Sequence, residues 1–299
     1  MEREQAIAAL VRLQAMASFD PPEPRGITLR GRHVTDADLE PLTAFPGLEF
    51  VEFRFAEVKG PGLKHLRGLP KLNTLILDTT PVTDAGLACL AELRGLVSLS
   101  LTGCEQVTDA GVAHCKGLIR LRRLELGNTQ VTDVGLAYLE GLTDLEELDL
   151  HGTLITDAGL VHLRRLTKLR ELQLGHTRLT DAGLVNLERL TALRELVLEN
   201  TEFTRAGAER LRQHLPYVEV LYGPETAHAV SAPHPERCSR CGAATFELLS
   251  FGGQWKQRGV SGRFWRVQCS RCQAVWAAYP SQQQLAAEQP LEWSEEALA

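Results

Sequence analysis

No apolar run in this 299-residue chain approaches the roughly 18 consecutive residues that a membrane-crossing helix needs. The opening stretch MEREQAIAALVRL carries Glu2 and Glu4 and lacks a long apolar core, so it does not read as a secretory signal. These two absences lead to the expectation of a cytoplasmic protein with no membrane partner. A phosphate-cradling glycine loop, a nucleophile elbow and a metal site with an open position are also missing. That argues against an enzyme and leaves no small-molecule substrate to infer. No tryptophan precedes Trp255, and the four present (Trp255, Trp265, Trp276, Trp293) crowd the C-terminal end.

What is there is unevenly spread. The apolar fraction of 44% and mean hydropathy of −0.12 are those of a soluble globular chain. Net charge is −6, yet residues 236–280 hold seven cations against Glu236 and Glu247, a local +5 that leaves −11 for the remainder. Charge and aromatic content both change after Gly223, which marks a domain boundary. The Pro- and Ala-containing stretch 224–235 reads as a linker.

Between those limits one phrase recurs: VTDAGLACLAEL from Val82, then VTDAGVAHCKGL, VTDVGLAYLEGL, ITDAGLVHLRRL and LTDAGLVNLERL. Its glycines, Gly62, Gly86, Gly111, Gly135, Gly159, Gly183 and Gly207, lie 24 or 25 residues apart, and Asp38 marks a diverged first copy. Eight units at this period predict a solenoid. In the unit from Leu145, Leu148 and Leu150 alternate with Glu147 and Asp149, a strand with one buried face. Thr156 offers an N-cap hydroxyl, Asp157 places charge in the first helical turn, and Leu160, Leu163 and Leu166 form the inward side of a short helix. Gly159 is expected to allow close approach to the neighbouring unit. The repeated Asp is therefore read as structural, not catalytic.

The unit LEELDLHGTLITDAGLVHLRRL resembles leucine-rich repeats of the ribonuclease-inhibitor-like and cysteine-containing type. The unit LVSLSLTGCEQVTDAGV resembles them most, with Cys104 in the position that Thr80, Thr129, Thr153, Thr177 and Thr201 hold elsewhere. The resemblance covers about Gly26 to Gly223. It implies an α/β fold, a right-handed β-α superhelix with a parallel sheet on its concave face, and binding of a protein partner. Ile7, Leu10, Val11, Ala15 and Phe19 predict an N-terminal capping helix, and VEVLYG from Val218 predicts a last strand.

The outward positions of the stacked strands form three columns. The first runs Phe50, Thr74, Ser98, Arg123, Glu147, Glu171, Glu195, Glu219. The second runs Glu52, Ile76, Ser100, Glu125, Asp149, Gln173, Val197, Leu221, and the third contains His151 and Glu199. Like charges ~4.8 Å apart repel, so the acidic C-terminal half reads either as a docking face for a basic partner or as a solvated face that keeps the chain soluble. The candidate contact residues are Arg123, Glu125, Glu147, Asp149, His151, Glu171, Gln173, Glu195 and Glu199. A further column, His65, Cys89, His114, Tyr138 and His162, contains ligand types but also Asn186 and Arg210, so it reads as a tolerant half-exposed site. Cys115 falls in a leucine slot and reads as core.

Beyond the linker, Cys238-Ser-Arg-Cys241 and Cys269-Ser-Arg-Cys272 are two CxxC knuckles. In a reducing compartment such pairs read as metal before disulfide, and four thiolates close a tetrahedral shell around one structural zinc ion. With strands at TFELLSF, GRFWRVQC and AVWAAYP and a long hairpin loop at GGQWKQRGVSG, the segment resembles a zinc ribbon. Lys256, Arg258, Arg263, Trp265 and Arg266 interleave charge with aromatics, a pattern suited to RNA or DNA, though a small core would take half of the aromatics.

The expected organisation is a capping helix over 1–25, a solenoid over 26–223, a linker over 224–235, a zinc-ribbon-like β domain over 236–280 and an acidic, flexible tail over 281–299. The expected function is a non-catalytic protein-interaction scaffold. It binds its partner through the concave face, with the ribbon as a second recognition module. The alternative is a nucleic-acid-associated protein whose ribbon holds RNA or DNA while the repeats recruit a partner.

Overall fold

A computed structural model describes residues 3–13, 16–20 and 23–221, and the strands within 246–257, 260–269 and 275–278. The chain divides into two units, Met1–Glu225 and Thr226–Ala299.

In the first unit nine strands pair in parallel, each with the next in chain order. They are β2 (Glu23–Arg30), β3 (Phe50–Arg54), β4 (Thr74–Ile76), β5 (Ser98–Ser100), β6 (Arg123–Glu125), β7 (Glu147–Asp149), β8 (Glu171–Gln173), β9 (Glu195–Val197) and β10 (Glu219–Leu221). A residue meets its counterpart one repeat later: Leu124 pairs with Leu148, Leu148 with Leu172, Leu172 with Leu196. Those leucines are at most 1% exposed. The strand alternation therefore puts one leucine per turn into a continuous core, and the residues on either side of it face outward.

Each strand from β2 to β9 stops at the same event. Gly31, Phe55, Thr79, Gly103, Asn128, Gly152, His176 and Asn200, one per repeat, all take positive φ. The chain turns there, and the residue after the turn in four repeats is a buried threonine. Thr80, Thr129, Thr153 and Thr177 donate their hydroxyls to the carbonyl three residues back, at 2.6–2.7 Å. Cys104 stands in their place and donates its thiol to the Leu77 carbonyl of the preceding repeat at 3.0 Å. Burial pushes that thiol up to about 11.

The other side is built of short turns, most of them 3₁₀ and some with α character, such as Asp133–Ala137. The repeated threonine caps several of them: the Thr132 hydroxyl accepts from the Val134 N–H, and that of Thr180 from Ala182. The same hydroxyl also donates backwards. Thr132 donates to Asp109, Thr156 to Asp133, Thr180 to Asp157 and Thr204 to Asp181, each at 2.6–2.7 Å, with the backbone N–H of the same threonine 2.8–2.9 Å from the other carboxylate oxygen. The repeated Asp is thus a clamp between repeats, a role beyond the first-turn charge its sequence position suggests. The repeated glycine is explained by the same contact. A Cβ on Gly135 would sit 2.5 Å from Asp109 Oδ1, and Gly159 and Gly183 face the same obstruction from Asp133 and Asp157.

The ends differ from the middle. The expected capping helix occupies Arg3–Arg12 only, with Ala6 and Leu10 buried and Ile7 and Val11 exposed. A strand β1 (Met16–Asp20) then pairs antiparallel with β2. The apolar spacing that runs on to Phe19 therefore does not continue as helix: Phe19 falls in β1. At the far end, Arg205–His214 is a full α-helix capped by Thr204, and β10 closes the parallel sheet.

The second unit contains an antiparallel sheet of β11 (Phe246–Gln257), β12 (Val260–Cys269) and β13 (Val275–Ala278). β11 runs further than the sequence suggests, through Trp255-Lys256-Gln257, where a loop was expected. The register shifts between Phe251 and Gln254, across Gly252-Gly253, and pairing resumes beyond it. A bulge at a glycine pair is what lets the ladder continue.

Candidate partner-binding face

The register assembles the face column by column. Phe50, Thr74, Ser98, Arg123, Glu147, Glu171, Glu195 and Glu219 pair in succession, as do Glu52, Ile76, Ser100, Glu125, Asp149, Gln173, Val197 and Leu221. Arg123 and Glu125 therefore stand on β6, Glu147 and Asp149 on β7, Glu171 and Gln173 on β8, and Glu195 on β9. His151 and Glu199 lie just past β7 and β9. All nine retain solvent access. They come together because the repeat period equals one full turn of the solenoid, not because of any long-range coincidence.

Electrostatics grade along the face. Arg123 is paired with Glu147 of the next strand and lies 3.4 Å from Glu125. At the N-terminal end Glu52 is only 5% exposed; it accepts from the Thr28 hydroxyl at 2.8 Å and pairs with Arg54. Asp78 accepts from the Ser100 hydroxyl at 2.5 Å, and burial still pushes its carboxyl above the usual range. From β7 onward carboxylates dominate the columns, with no cation at the paired positions of β7 to β10.

Asp149 sits in the middle of that acidic half. One carboxylate oxygen accepts the backbone N–H of His151 at 2.8 Å. The other lies over Gly127, where a Cβ would come within 2.9 Å of it. Burial, first, and the nearby Glu125 push Asp149 up to about 6, against the lowering effect of the His151 hydrogen bond. His151 stacks edge-to-face on His176 of the next repeat, ring centroids 4.7 Å apart. His176 Nε2 is 2.9 Å from Asn200 Nδ2. His176 is absent from the three columns because it occupies the left-handed turn. Asn128, Gly152 and Asn200 in the same register were the available signal.

Other ligand-type side chains do not converge. His162 Nδ1 is 2.5 Å from Glu140 Oε1 of the preceding repeat, and Cys89 and Cys115 are buried in the core. Among the described residues no three His, Cys, Asp or Glu side chains are grouped to hold a metal ion. Nor is any described helix long and apolar enough to cross a membrane. Cys269 ends β12, whereas Cys238, Cys241 and Cys272 lie outside the described residues. Lys256 falls in β11 and Arg263, Trp265 and Arg266 in β12; Arg258 lies outside the described residues.

A one-strand, one-turn unit with a leucine core, stacked in parallel register, defines a leucine-rich-repeat solenoid. Residues 119–179 match the leucine rich repeat family. The chain is similar in fold to an internalin C2 from Listeria monocytogenes, with a TM-score of 0.56 and 20% identity over 73% of this chain and 92% of that one. An internalin, inlF, from the same species aligns at a TM-score of 0.49 and 23% identity over 61% of this chain, which spans 56% of that chain's length.

Proposed function

We propose that this protein is a non-catalytic interaction scaffold that holds a basic protein partner on the acidic half of its sheet face. The observation that carries this reading is the column Glu147, Glu171, Glu195, Glu219, one carboxylate per strand at ~4.8 Å spacing, with Arg123 beside Glu147 the one cation standing in that column. Asp149 adds to it, since its ionised form is kept on the face against the effect of burial. A cationic partner relieves both, and complementary potentials speed and orient its docking.

The second part of the proposal is that Cys238, Cys241, Cys269 and Cys272 hold one structural zinc ion in a ribbon that serves as a further recognition module in the cytoplasm. Its support is the spacing of the two CxxC pairs and the register of the sheet between them. Phe246, five residues after Cys241 in the sequence, pairs with Cys269, the first cysteine of the second knuckle. Four thiolates leave zinc no open position, which suits a folding role.

Charge reversal at Glu147, Asp149 and Glu171 together, in the full-length chain, tests the first part. Capture of the principal partner should weaken, and it should weaken further as salt rises past ~0.1 M, where exposed charges about 10 Å apart are screened. Undiminished capture by a folded triple variant would refute it. Elemental analysis of chelator-free protein should find one zinc per chain, and Cys269→Ser should abolish it. Salt-sensitive binding of RNA or DNA, lost on Arg263→Glu with Arg266→Glu, would instead favour the ribbon as a nucleic-acid module.

A further inference from the structure

We propose that the stacked His151–His176 pair makes the acidic face proton-sensitive, so that acidification releases a basic partner from it. This rests on the reading of that face as a docking surface and adds its regulation.

The geometry is specific to these two repeats. His151 follows β7 in the third column, where Gly127 and Gly175 stand in the neighbouring repeats. Gly175 leaves the space: a Cβ there would lie 3.3 Å from His151 Nδ1. His176 holds the next left-handed turn, at φ 56°, and its ring closes edge-on against His151 at 4.7 Å. From the preceding repeat Asn128 donates its backbone N–H to the His151 carbonyl at 2.7 Å and Glu125 acts on Asp149, which accepts the backbone N–H of His151; from the following repeat Glu199 acts on both rings and Asn200 meets His176. Arg123 stands two columns from His151, held in its pairs with Glu125 and Glu147.

Two features bias the pair to neutrality near pH 7. Asn200 Nδ2 points at His176 Nε2, which accepts only while unprotonated; protonation turns that nitrogen into a donor, and the amide must rotate to offer its oxygen. Two rings in contact also disfavour a double positive charge. Burial lowers both imidazoles, with His151 lowering His176 further, while Glu199 opposes. Asp149, two residues from His151, is pushed up to about 6. As pH falls from neutrality, one carboxylate of the acidic half loses its charge and the imidazoles beside it begin to gain theirs. The two changes act in the same direction at one place, against a cationic ligand.

The test uses the full-length protein and a rhodamine-labelled decalysine peptide, whose charge is constant between about pH 5.5 and 7.5 because lysine titrates near 10.4. Anisotropy at low salt should give a Kd about 10-fold weaker at the acidic end, as two or more altered charges within several ångströms imply. Replacing His151→Thr and His176→Asn, residues that other repeats carry at these positions, should shrink that ratio severalfold, whatever the Kd at neutral pH. Proton NMR of the imidazoles should place both midpoints below the ordinary 6.5, with His151→Thr raising that of His176. A pH ratio unchanged by the double variant would sink the switch while leaving the docking face intact. An absence of decalysine binding at neutral pH, or binding indifferent to charge reversal at Glu147, Asp149 and Glu171, would sink the face and the switch with it.

Discussion

Asp133 of one repeat accepts two hydrogen bonds from Thr156 of the next, 2.8 Å from its backbone nitrogen and 2.7 Å from its hydroxyl. The same pair recurs as Asp109–Thr132, Asp157–Thr180 and Asp181–Thr204. In a solenoid each unit touches only its neighbours, so a bond made once per interface acts on the term that sets cooperativity.

Asp133→Ala should therefore cost ~1–3 kcal/mol, since it leaves a hydroxyl and an N–H without their charged acceptor. A double-mutant cycle with Thr156→Val, followed by urea denaturation, should return a coupling of ~0.5–3 kcal/mol. A coupling near zero would mean that Asp133 acts only on its own helical turn. Leu148→Ala, at 1% exposure, sets the scale for a core loss at ~2–5 kcal/mol.

Gly159 and Gly141 should respond in opposite ways to alanine. A Cβ on Gly159 collides with the Asp133 carboxylate, whereas one on Gly141 meets nothing within 4 Å. Gly159→Ala should destabilise by ~1–3 kcal/mol through overpacking. Gly141→Ala should be neutral or stabilise by up to ~1 kcal/mol through the unfolded chain. Thermal melts of the two variants side by side decide it.

Thr79 holds φ 53°, a conformation that a β-branched residue adopts at a cost, in the turn where Asn128 and Asn200 sit in other repeats. Thr79→Asn should raise stability by ~1 kcal/mol. A loss of stability would show that the Thr79 contact with Gly103 and its hydroxyl bond to the Asp78 carbonyl outweigh the backbone.

Asp149 supplies a pH-dependent case with a definite sign. Its carboxyl is raised to about 6 on folding from an ordinary 3.8, so the folded protein holds that proton more tightly than the unfolded chain. Its contribution to stability falls as pH rises through that window and stays unfavourable above it. Asp149→Asn should stabilise by ~1–2 kcal/mol near neutral pH, and the gain should vanish as pH approaches 4. Denaturation curves at both ends of the window check this.

The columns of the sheet face are legible in the sequence because the repeat period is the distance between stacked neighbours. Glu147 meets Glu171 for the same reason that Leu148 meets Leu172. The clamp was not legible in that way. Thr156 looks like a cap and Asp133 like a dipole partner until the turn brings position 133 against 156, one residue short of the period. The N-terminal cap differs for a related reason: apolar spacing from Ile7 to Phe19 fits a helix, and only pairing with β2 makes Met16–Asp20 a strand.

The repeat, the strand and turn within it, the leucine core and the charges on the exposed face are all readable from the order of residues. All of these follow from local periodicity multiplied by a constant register. Which of those charges is buried, and which pairs lie off the register, emerges only in the folded chain. Asp149 is raised because bare Gly127 lets its carboxylate settle over the backbone, and His151 reaches His176 because a left-handed turn displaces that ring toward it. Burial and diagonal contact depend on the shapes of several neighbouring turns at once, which a one-dimensional period does not contain.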